Sequence, residues 1–335
     1  MAYWKRTGEK IQCLICPHNC KVSEGRSGIC GVRKNNGKEI ELATYGVISG
    51  YSLDPIEKKP LYHFYPGKKI LSAGSYGCNM RCDFCQNYNI SQNTEFHGAR
   101  KMSPADIVKE ASSVPENIGL AFTYNEPTIS FEFIRDTGIA AKNAGMKTVL
   151  VSNGYVNSEP LSEIIGFIDA FNIDLKAFNE SSYKALTGAH LEPVKSTLKQ
   201  IAFSGRHLEI TSLIIPGYND KPEEMEKQTE WISGELGNSI PLHLSRYYPM
   251  YKRDDPATSF DVLDSLYEIA SQKLKFVYMG NTNKGQDTRC PGCNKTVTSR
   301  SGYNIRLLDL DEKGRCSNCG TLIYSDFTFS SKKES

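Results

Sequence analysis

Two features of the 335-residue sequence predict an α/β fold built on a parallel sheet. From residue 70 onward, short apolar runs alternate with segments that carry helical signals, and repeated units of this kind form parallel sheets with right-handed crossover helices. The eleven cysteines fall into three groups, and two of these groups lie outside the alternating region. We therefore predict a partial or full parallel (β/α) barrel with two small cysteine-rich, metal-binding appendages.

The cysteine groups and the apolar runs also divide the chain into parts. We predict an N-terminal cysteine-rich knob with a connector at residues 1–69, the barrel at 70–280, a zinc-ribbon module at 281–327 and a disordered tail at 328–335. Lysine and arginine outnumber aspartate and glutamate by 12 to 6 in residues 1–69 and by 9 to 6 in residues 280–335, whereas residues 70–279 carry 19 against 26. The basic ends permit a nucleic-acid or acidic-protein partner, but an ordinary solvated surface is favoured.

Membrane contact is not expected from this sequence. Its first ten residues are polar, and no apolar run approaches the roughly eighteen residues of a membrane-spanning helix. We therefore expect a cytoplasmic protein, and in that reducing compartment eleven cysteines indicate metal sites rather than disulfides.

The first cysteine group has the spacing C-x2-C-x3-C-x9-C and consists of Cys13, Cys16, Cys20 and Cys30. The segment around this N-terminal cysteine set contains several turn residues and few aliphatic ones, so metal binding must supply its folding free energy. We predict zinc here, with an iron–sulfur cluster as the alternative. His18 is expected to lie at the surface beside the set rather than to replace one of its cysteines.

The barrel strands are predicted from apolar runs at residues 70–75, 118–123, 147–152, 168–175, 208–215, 240–245 and 275–279. One helix is predicted after Ser103, where an N-cap residue precedes Pro104 at the first helical position. Apolar residues on one face predict two more at 128–144 and 259–273. Functional residues are expected at the carboxyl ends of the strands, where the loops of such barrels meet.

The second cysteine group follows the first predicted strand with the spacing C-x3-C-x2-C and consists of Cys78, Cys82 and Cys85. Three thiolates this close can hold three irons of a 4Fe-4S cluster, which leaves the fourth iron without a protein ligand. An open metal position binds a substrate or cofactor directly, as in catalytic zinc sites. The alternatives are a zinc site completed by a distant residue and unligated core cysteines.

Polar residues follow each of the later strands, where they would face the three cysteines. On their own these are ordinary loop residues, but together they predict a binding site for a cofactor that carries both charges. The predicted cofactor-binding residues are Asn125, Glu126, Ser152, Asn153, Asp174, Lys176, Ile214, Pro216 and Asn219. The predicted catalytic or substrate-binding residues are His243, Arg246 and Lys176.

The third cysteine group consists of two C-x2-C turns separated by a strand-forming segment, with the ligands Cys290, Cys293, Cys316 and Cys319. Paired turns of this kind are typical of a zinc ribbon, because their backbone amides support a tetrahedral thiolate site. Rubredoxin-like iron is the alternative metal. We expect the module to act as a structural staple on the barrel rather than as a contact for another macromolecule.

The C-x3-C-x2-C motif, with Phe84 before its last cysteine, resembles that of the radical S-adenosylmethionine (SAM) superfamily. The motifs Asn-Glu-Pro, Ser-Asn-Gly, Asp-Leu-Lys and Ile-Pro-Gly-Tyr-Asn-Asp, which lie between residues 70 and 250, resemble the pyruvate formate-lyase activating enzyme branch. The run at residues 54–61, the run at 85–91 and both cysteine-rich appendages closely resemble the AmmeMemoRadiSam system radical SAM enzymes.

The resemblance implies a barrel of the radical SAM type and a 4Fe-4S cluster whose open iron binds the amino and carboxylate groups of SAM. Reductive cleavage then yields a 5'-deoxyadenosyl radical. Glu126 occupies the place of the last residue of the family's Gly-Gly-Glu motif, which receives the SAM amino group, although Tyr124 and Asn125 stand where the glycines do. The resemblance also implies a monovalent-cation site that involves Ser152, Asn172 and Asp174.

The leading functional prediction is hydrogen abstraction from a polypeptide, as in the activation of glycyl-radical enzymes. Its expected partners are a reductant such as flavodoxin or ferredoxin and a protein substrate, while a nucleic-acid partner is not favoured. Two alternatives remain open at this point. One is the radical modification of tRNA or a small metabolite, and the other is a non-enzymatic, metal-rich electron carrier or nucleic-acid-binding protein.

Overall fold

Strands form where buried apolar residues recur along the chain. The computed structural model describes residues 3–93, 95–96 and 98–327, so the predicted disordered tail at 328–335 lies outside the described residues. Among these described residues, no helix is both long and apolar enough to cross a membrane. The strands are β1 (Trp4–Thr7), β2 (Lys10–Cys13), β3 (Lys21–Val22), β4 (Arg33–Asn35), β5 (Ile40–Leu42), β6 (Val47–Ile48), β7 (Gly50–Pro55), β8 (Lys69–Gly74), β9 (Arg100–Lys101), β10 (Asn117–Phe122), β11 (Lys147–Ser152), β12 (Ala170–Asp174), β13 (His207–Ile214), β14 (Leu242–Arg246), β15 (Val277–Gly280), β16 (Thr288–Arg289), β17 (Thr296–Ser301) and β18 (Asn304–Leu307).

The helices begin and end at the signals in the sequence. Before α2, the Ser103 hydroxyl accepts the Asp106 backbone N–H at 3.2 Å and the Asp106 carboxylate accepts the Ser103 N–H at 2.9 Å, which forms a capping box. The α-helices are α1 (Tyr88–Ser91), α2 (Pro104–Ser113), α3 (Phe131–Asn143), α4 (Ser158–Phe167), α5 (Glu180–Thr187), α6 (Leu191–Phe203), α7 (Pro222–Trp231) and α8 (Phe260–Ser271). Short 3-10 helices occupy Ile56–Lys58 and Pro127–Ser130, and a π-helical turn occupies Ile232–Leu236.

One eight-stranded sheet forms the barrel wall, in the order β15-β14-β13-β12-β11-β10-β8-β7. Seven strands run parallel, and β7 pairs antiparallel with β8. The seven parallel strands begin and end within about two residues of the predicted runs, so the predicted α/β class is confirmed. Because β15 and β7 end the order without pairing with each other, the barrel is partial. Strand β7 lies in the predicted connector and extends the sheet beyond its predicted start.

The connector between β7 and β8 fills the inside of the curved sheet. Its residues Ile56, Leu61 and Phe64 pack with Ala121 of β10 and with other inward-facing barrel residues. The backbone N–H groups of Tyr62 and His63 donate to the buried Glu209 carboxylate at 3.0 and 2.7 Å. The connector thus closes the lower part of the barrel, and the volume above it is left for a site at the carboxyl ends of the strands.

The N-terminal knob is attached to the start of α3 and shares the main hydrophobic core. Strands β1, β2 and β3 form its sheet. The Tyr3 ring meets the Phe131 ring edge-on, with 4.9 Å between their centroids. Arg33 is buried and donates two hydrogen bonds to the Glu132 carboxylate, at 2.8 and 2.7 Å. A bidentate pair of this kind fixes orientation as well as position.

The ribbon consists of β16, β17 and β18 and packs against β15 and the connector. Its core joins Val297 and Tyr324 to Tyr62 and Tyr278. The buried Arg300 guanidinium donates to the Tyr62 carbonyl at 3.0 Å. The ribbon is therefore continuous with the barrel core.

Candidate active site

A cavity of about 450 Å³ opens at the carboxyl ends of the barrel strands. Its wall brings together the three cysteines that follow β8 and six of the predicted cofactor-binding residues. These residues are Cys78, Cys82, Cys85, Asn125, Glu126, Ser152, Asn153, Asp174 and Lys176. Among the described residues that line it there is no fourth cysteine.

Hydrogen bonds hold the loop that carries the three cysteines. Asn79 donates through its side-chain nitrogen to the Tyr155 carbonyl at 2.7 Å and accepts from the Asn153 side chain at 2.9 Å. The Cys78 sulfur accepts the Met80 backbone N–H at 3.3 Å and lies 3.7 Å from the Asn153 side-chain nitrogen. Such donors stabilise negative charge on a thiolate, as they do around metal-bound sulfur.

Glu126 is the most completely buried acid in the cavity wall, with 1% of its surface exposed. One oxygen, Oε1, accepts from the Thr128 backbone and hydroxyl and from the Ser152 hydroxyl at 2.7 to 2.9 Å. The other, Oε2, accepts the Asn153 N–H at 2.8 Å. Burial raises the pKa of Glu126, and these hydrogen bonds to its charged form oppose the rise.

The residue two positions before Glu126 shows how the chain accommodates its departure from the Gly-Gly-Glu pattern. Tyr124 has a φ of +73°, in the left-handed region that glycine adopts without strain. Its ring packs over Gly74, where a Cβ would lie 2.9 Å from the ring. The backbone conformation that suits a glycine is therefore kept at Tyr124, and Gly74 provides the space for the larger side chain.

Asp174 and Lys176 form an ion pair in the cavity wall, with 2.9 Å between Oδ2 and Nζ. Burial alone would lower the pKa of Lys176, but the neighbouring Asp174 and Cys82 raise it above the usual range for lysine. The Lys176 ammonium also lies 5.7 Å from the centre of the Phe84 ring. The cavity thus contains a positive and a negative group next to each other, beside the cysteine loop.

Four of the other predicted residues do not line the cavity. Ile214 and Asn219 are buried beside it, and Pro216 is half-buried. In β13 the alternate residues Thr211 and Leu213 face the cavity, so Ile214 lies on the opposite face. Asn219 instead joins two loops, because its side chain donates to the carbonyls of Lys176 and Leu213 at 2.9 and 2.8 Å. Asn172 is buried and donates to the Pro60 carbonyl at 2.8 Å, below the cavity.

His243 lies one layer beneath the cavity. It shares an inward-facing side of β14 with Ser245, which does line the cavity, but it comes two residues earlier. Since a strand rises about 3.3 Å per residue, this places it roughly 7 Å deeper. Its Nε2 contacts the Glu209 carboxylate at 2.7 Å, and 2% of its side chain is exposed. The structure does not bring His243 to the cavity.

Arg246 also lies outside the cavity wall. Its Nε donates to the Thr258 carbonyl at 2.7 Å, and its guanidinium stacks 4.3 Å from the centre of the Phe260 ring. The side chain thus anchors the loop after β14 to the start of α8. Arg246 is next to Ser245 in sequence but points to the other face of the strand.

The structure also places a group of charged side chains at the cavity that was not predicted from the residues at the strand ends. Lys58 and Lys59 line the cavity and donate to Asp54 at 2.8 and 2.7 Å. Burial would raise the pKa of Asp54, but hydrogen bonds from Lys58, Lys59 and Tyr124 hold it well below its usual range. Lys59 is 1% exposed and lies 4.5 Å from the centre of the Tyr124 ring. In the sequence, residues 54–61 contributed only to the family resemblance, and no role was predicted for their charged side chains.

The ribbon also contributes to the rim of the cavity. Tyr303, between β17 and β18, lines the cavity and is 59% exposed. Asn281, which follows β15, also lines the cavity. No local pattern around Tyr303 predicted this position, because the contact depends on how the ribbon packs on the barrel.

The two four-cysteine sets differ in the spacing of their sulfur atoms. In the ribbon, Cys290 and Cys319 lie 3.4 Å apart, Cys293 and Cys316 lie 3.6 Å apart, and all four sulfurs are within 4.8 Å of one another. In the part of the chain that the structure describes, no other three or more cysteine, histidine or carboxylate ligand atoms are gathered this tightly. The N-terminal cysteine set and the three barrel cysteines are therefore more widely spaced.

Comparisons with known proteins agree with this geometry. The family profile of the radical SAM superfamily matches residues 73–228. An uncharacterized protein of Methanocaldococcus jannaschii is 39% identical over 330 residues, which cover 96% of this chain and 98% of that protein. The pyruvate formate-lyase 1-activating enzyme of Escherichia coli is 26% identical over 183 residues, covering 52% of this chain and 73% of that enzyme.

A solved structure extends the comparison to the fold. The crystal structure of a radical SAM methyltransferase from Sphaerobacter thermophilus aligns with a TM-score of 0.52 at 13% identity, and the alignment covers 72% of each chain. At this identity the likeness concerns the fold alone, and it agrees with the partial barrel described above.

Proposed function

Because the chain belongs to the radical SAM superfamily and is therefore an enzyme, we propose that Cys78, Cys82 and Cys85 hold a 4Fe-4S cluster in the cavity. When bound and reduced, the cluster cleaves SAM to a 5'-deoxyadenosyl radical that abstracts hydrogen from a substrate. The observation that carries the proposal is the wall itself, where three cysteines and a buried glutamate face one cavity whose described lining has no fourth cysteine. An iron with an open position is what SAM binding requires.

The surroundings of the three cysteines fit a cluster held by thiolates. The Cys78 sulfur receives a backbone N–H, and the Cys85 sulfur lies 3.1 Å from the Ser91 hydroxyl. Lys176 supplies a positive charge close to Cys82. These groups stabilise anionic sulfur in a site that is largely removed from water.

Glu126 is proposed to receive the ammonium group of SAM. Its Oε1 already accepts three hydrogen bonds, whereas Oε2 accepts one and keeps a second acceptor position free. Asp174 and Lys176 are proposed to bind polar groups of SAM, and Asn125, Ser152 and Asn153 to shape the wall around them. A cavity of about 450 Å³ is within the usual range for a ligand of this size.

The substrate is proposed to be a polypeptide from which a hydrogen atom is removed, as the name of the Escherichia coli relative suggests for that enzyme. The rim of the cavity supports this class, because the exposed Tyr303 lines it and the exposed Tyr248 donates its hydroxyl to the carbonyl of Asn281 in the wall. Exposed aromatic side chains are enriched where proteins bind other polypeptides. Phe84 and Leu213, which lie in the wall, supply apolar surface for adenine.

The remaining proposals concern the metal of the ribbon and the partners. We propose one zinc ion in the ribbon, since a Zn–S bond of about 2.3 Å in a tetrahedron gives sulfur separations close to the 3.4 and 3.6 Å observed. A one-electron reductant such as flavodoxin or ferredoxin would supply the electron, and the cytoplasm is the proposed location. A nucleic-acid partner is not part of the proposal.

The decisive experiment combines the anaerobically reconstituted protein with SAM, a reductant and the products of neighbouring genes. We expect 5'-deoxyadenosine to form and a protein-based radical or a mass change to appear in one polypeptide. If SAM is not cleaved, the radical SAM assignment of the cavity fails. If SAM is cleaved but RNA rather than protein is altered, the substrate class is overturned.

A further inference from the structure

The N-terminal cysteine set is the largest group of reactive side chains that the proposed function leaves unused. Cys13 ends β2, Cys16 and Cys20 lie in the turns that follow, and Cys30 precedes β4. Cys13, Cys16 and Cys30 are buried, and Cys20 is half-buried. Four thiols gathered in a segment with few apolar residues indicate a metal centre.

The four cysteines are held close to one another. The Cys13 backbone N–H donates to the Cys20 carbonyl at 2.9 Å. The Cys20 sulfur accepts the backbone N–H of Ile29, the residue before Cys30, at 3.5 Å. The turns therefore bring the backbone of Cys13 and the segment before Cys30 next to Cys20.

The sulfur spacing distinguishes this centre from that of the ribbon. A single tetrahedral ion needs four thiolates that lie close together, and the ribbon has this spacing, with all four sulfurs within 4.8 Å of one another. A cluster distributes its thiolates over several irons, so they stay further apart. Among the described residues, the N-terminal set and the three barrel cysteines both fall outside the single-ion spacing.

The knob also contacts the barrel loop that carries Cys78, Cys82 and Cys85. His18, which lies between Cys16 and Cys20, contacts the Asn79 carbonyl through Nε2 at 2.8 Å. The Arg81 guanidinium donates to the carbonyl of Ile29. The two ligand loops are therefore joined by hydrogen bonds between residues that lie within two positions of the cysteines of each loop.

A close backbone approach makes a third connection. Gly77, the residue before Cys78, has a φ of +85°, and a Cβ there would lie 2.7 Å from the Cys30 carbonyl oxygen. Glycine is required at this position both for the conformation and for the space. The backbone beside one ligand of the knob thus packs against the backbone beside one ligand of the barrel.

We propose that Cys13, Cys16, Cys20 and Cys30 hold a second iron–sulfur cluster, rather than zinc, and that it relays electrons to the cluster of the cavity. A low-potential one-electron redox protein loses one electron, the knob cluster takes it up, and the cavity cluster receives it with no bond made or broken. Residues 23–27 and Ile29 are exposed on the knob and lie between Cys20 and Cys30, so a donor protein that binds there comes close to the proposed cluster.

The identity of the centre is tested in the full chain with Cys78, Cys82 and Cys85 all replaced by alanine. After anaerobic reconstitution we expect about four irons and four sulfides per chain, with the absorption edge of sulfur-bound iron. Adding Cys16→Ser and Cys20→Ser should remove this iron and leave the ribbon metal unchanged. Zinc without sulfide, or no metal, at the N-terminal set would overturn the proposal. This measurement does not depend on SAM cleavage, so it separates failure of the inference from failure of the proposed function.

The relay, which rests on the proposed function, is tested with Cys20→Ser in an otherwise intact chain. We expect the rate of SAM cleavage with reduced flavodoxin, divided by the rate with dithionite, to fall at least about tenfold relative to the parent protein. Ser23→Ala, an exposed change on the other side of β3, is the control and should behave as the parent does with both reductants. An unchanged ratio of the two rates in Cys20→Ser would overturn the relay. A parent protein that fails with dithionite would instead refute the proposed function.

Discussion

Glu126 illustrates how a single residue in this site depends on its neighbours. A carboxylate that is 1% exposed would be costly to ionise on its own, because burial disfavours the charged form. Four protein donors offset that cost and also fix the direction of the free acceptor position on Oε2. Preorganised charge of this kind binds a cation without reorganising the site.

Glu126→Gln should therefore weaken SAM binding while the cluster is retained. The variant replaces a charged acceptor by a neutral one, and hydrogen bonds to charged groups contribute about 1.5 to 3 kcal/mol, so we expect the Kd for SAM to rise roughly 10- to 100-fold. Isothermal titration of the reconstituted protein measures this. Glu223→Gln, an exposed change at the start of α7, is the matched control. An unchanged Kd would remove Glu126 from the SAM site.

Cys82→Ala should remove the cavity cluster and abolish SAM cleavage. Cys82 is buried and lies beside Lys176, and its loss leaves two of the three cluster ligands in the wall. Iron and sulfide analysis, with 5'-deoxyadenosine measured by chromatography, follows both effects. Full cleavage by this variant would contradict the assignment of the three cysteines.

The loop after β14 shows how elements cooperate around the site. Its Lys252 backbone N–H donates to the Asp83 carbonyl at 2.9 Å, and the Arg253 guanidinium pairs with the Asp83 carboxylate at 3.0 Å. The Tyr251 ring stacks on the Tyr88 ring, with 4.6 Å between their centroids. The loop after β14 thereby supports the cysteine loop that follows β8. The ribbon adds Tyr303 to the rim of the same cavity.

Cys316→Ser should remove one zinc ion per chain and loosen the ribbon. A closed thiolate site that loses a ligand binds its ion far more weakly, and the small strands β16 to β18 have little core of their own. Elemental analysis of protein handled in air and the rate of proteolysis after residue 287 measure the two effects. Ser317→Ala, an exposed change in the same turn, should keep the zinc.

The same variant also tests what the ribbon contributes to the cavity. If the loosened ribbon moves Tyr303 away from the rim, the Kd for SAM should stay within about twofold of the parent value, because the predicted SAM contacts come from the barrel strands. A large loss of SAM binding would instead make the ribbon part of the cofactor site. Retention of zinc by Cys316→Ser would contradict the assignment of its ligand.

At the scale of the whole molecule, a buried polar network joins the barrel, the connector and the end of the ribbon module. Glu209 accepts from the connector backbone and contacts His243 and His207. His207 also contacts Asp326 at 3.5 Å. Burial would raise the pKa of Glu209, but its contacts with His207 and His243 hold it well below the usual range. Charges buried in such a network are strongly coupled to the packing around them.

The stability of this junction should fall as the pH rises. Burial would lower the pKa of His207, but hydrogen bonds with Asp326 and Glu209 raise it to about 9, above the value of about 6.5 expected in the unfolded chain. Its contribution, on the order of 3 kcal/mol, is therefore fully present below about pH 6.5 and is lost as the pH rises through about 9.

Thermal unfolding at pH 6.5, 8 and 9 and constant ionic strength measures this dependence. Asp326→Asn removes one of the two carboxylates that face His207, so its unfolding midpoint should decline less steeply with pH than that of the parent. Ser301→Ala, an exposed change at the end of β17, should follow the parent curve. Parallel curves for the parent and Asp326→Asn would contradict the role given to this histidine.

The sequence alone determined the features that depend on local pattern and on spacing along the chain. Seven parallel strands follow from apolar runs, α2 begins at its Ser103 cap, and the two paired cysteine turns predict the ribbon site. The cysteine loop and Glu126 were also found from sequence, because each directly follows a strand whose carboxyl end must lie at the same rim.

Only the tertiary structure decided which side chains reach the cavity and how far apart distant groups lie. Alternation along β14 puts His243 and Ser245 on one face of the strand. The connector fills the barrel up to the level of His243, so only Ser245 reaches the cavity. Lys59 and Tyr303 enter the wall through packing between segments far apart in sequence. The spacing of the N-terminal sulfurs likewise depends on the folded turns. Such positions follow from long-range packing, which no local pattern of residues encodes.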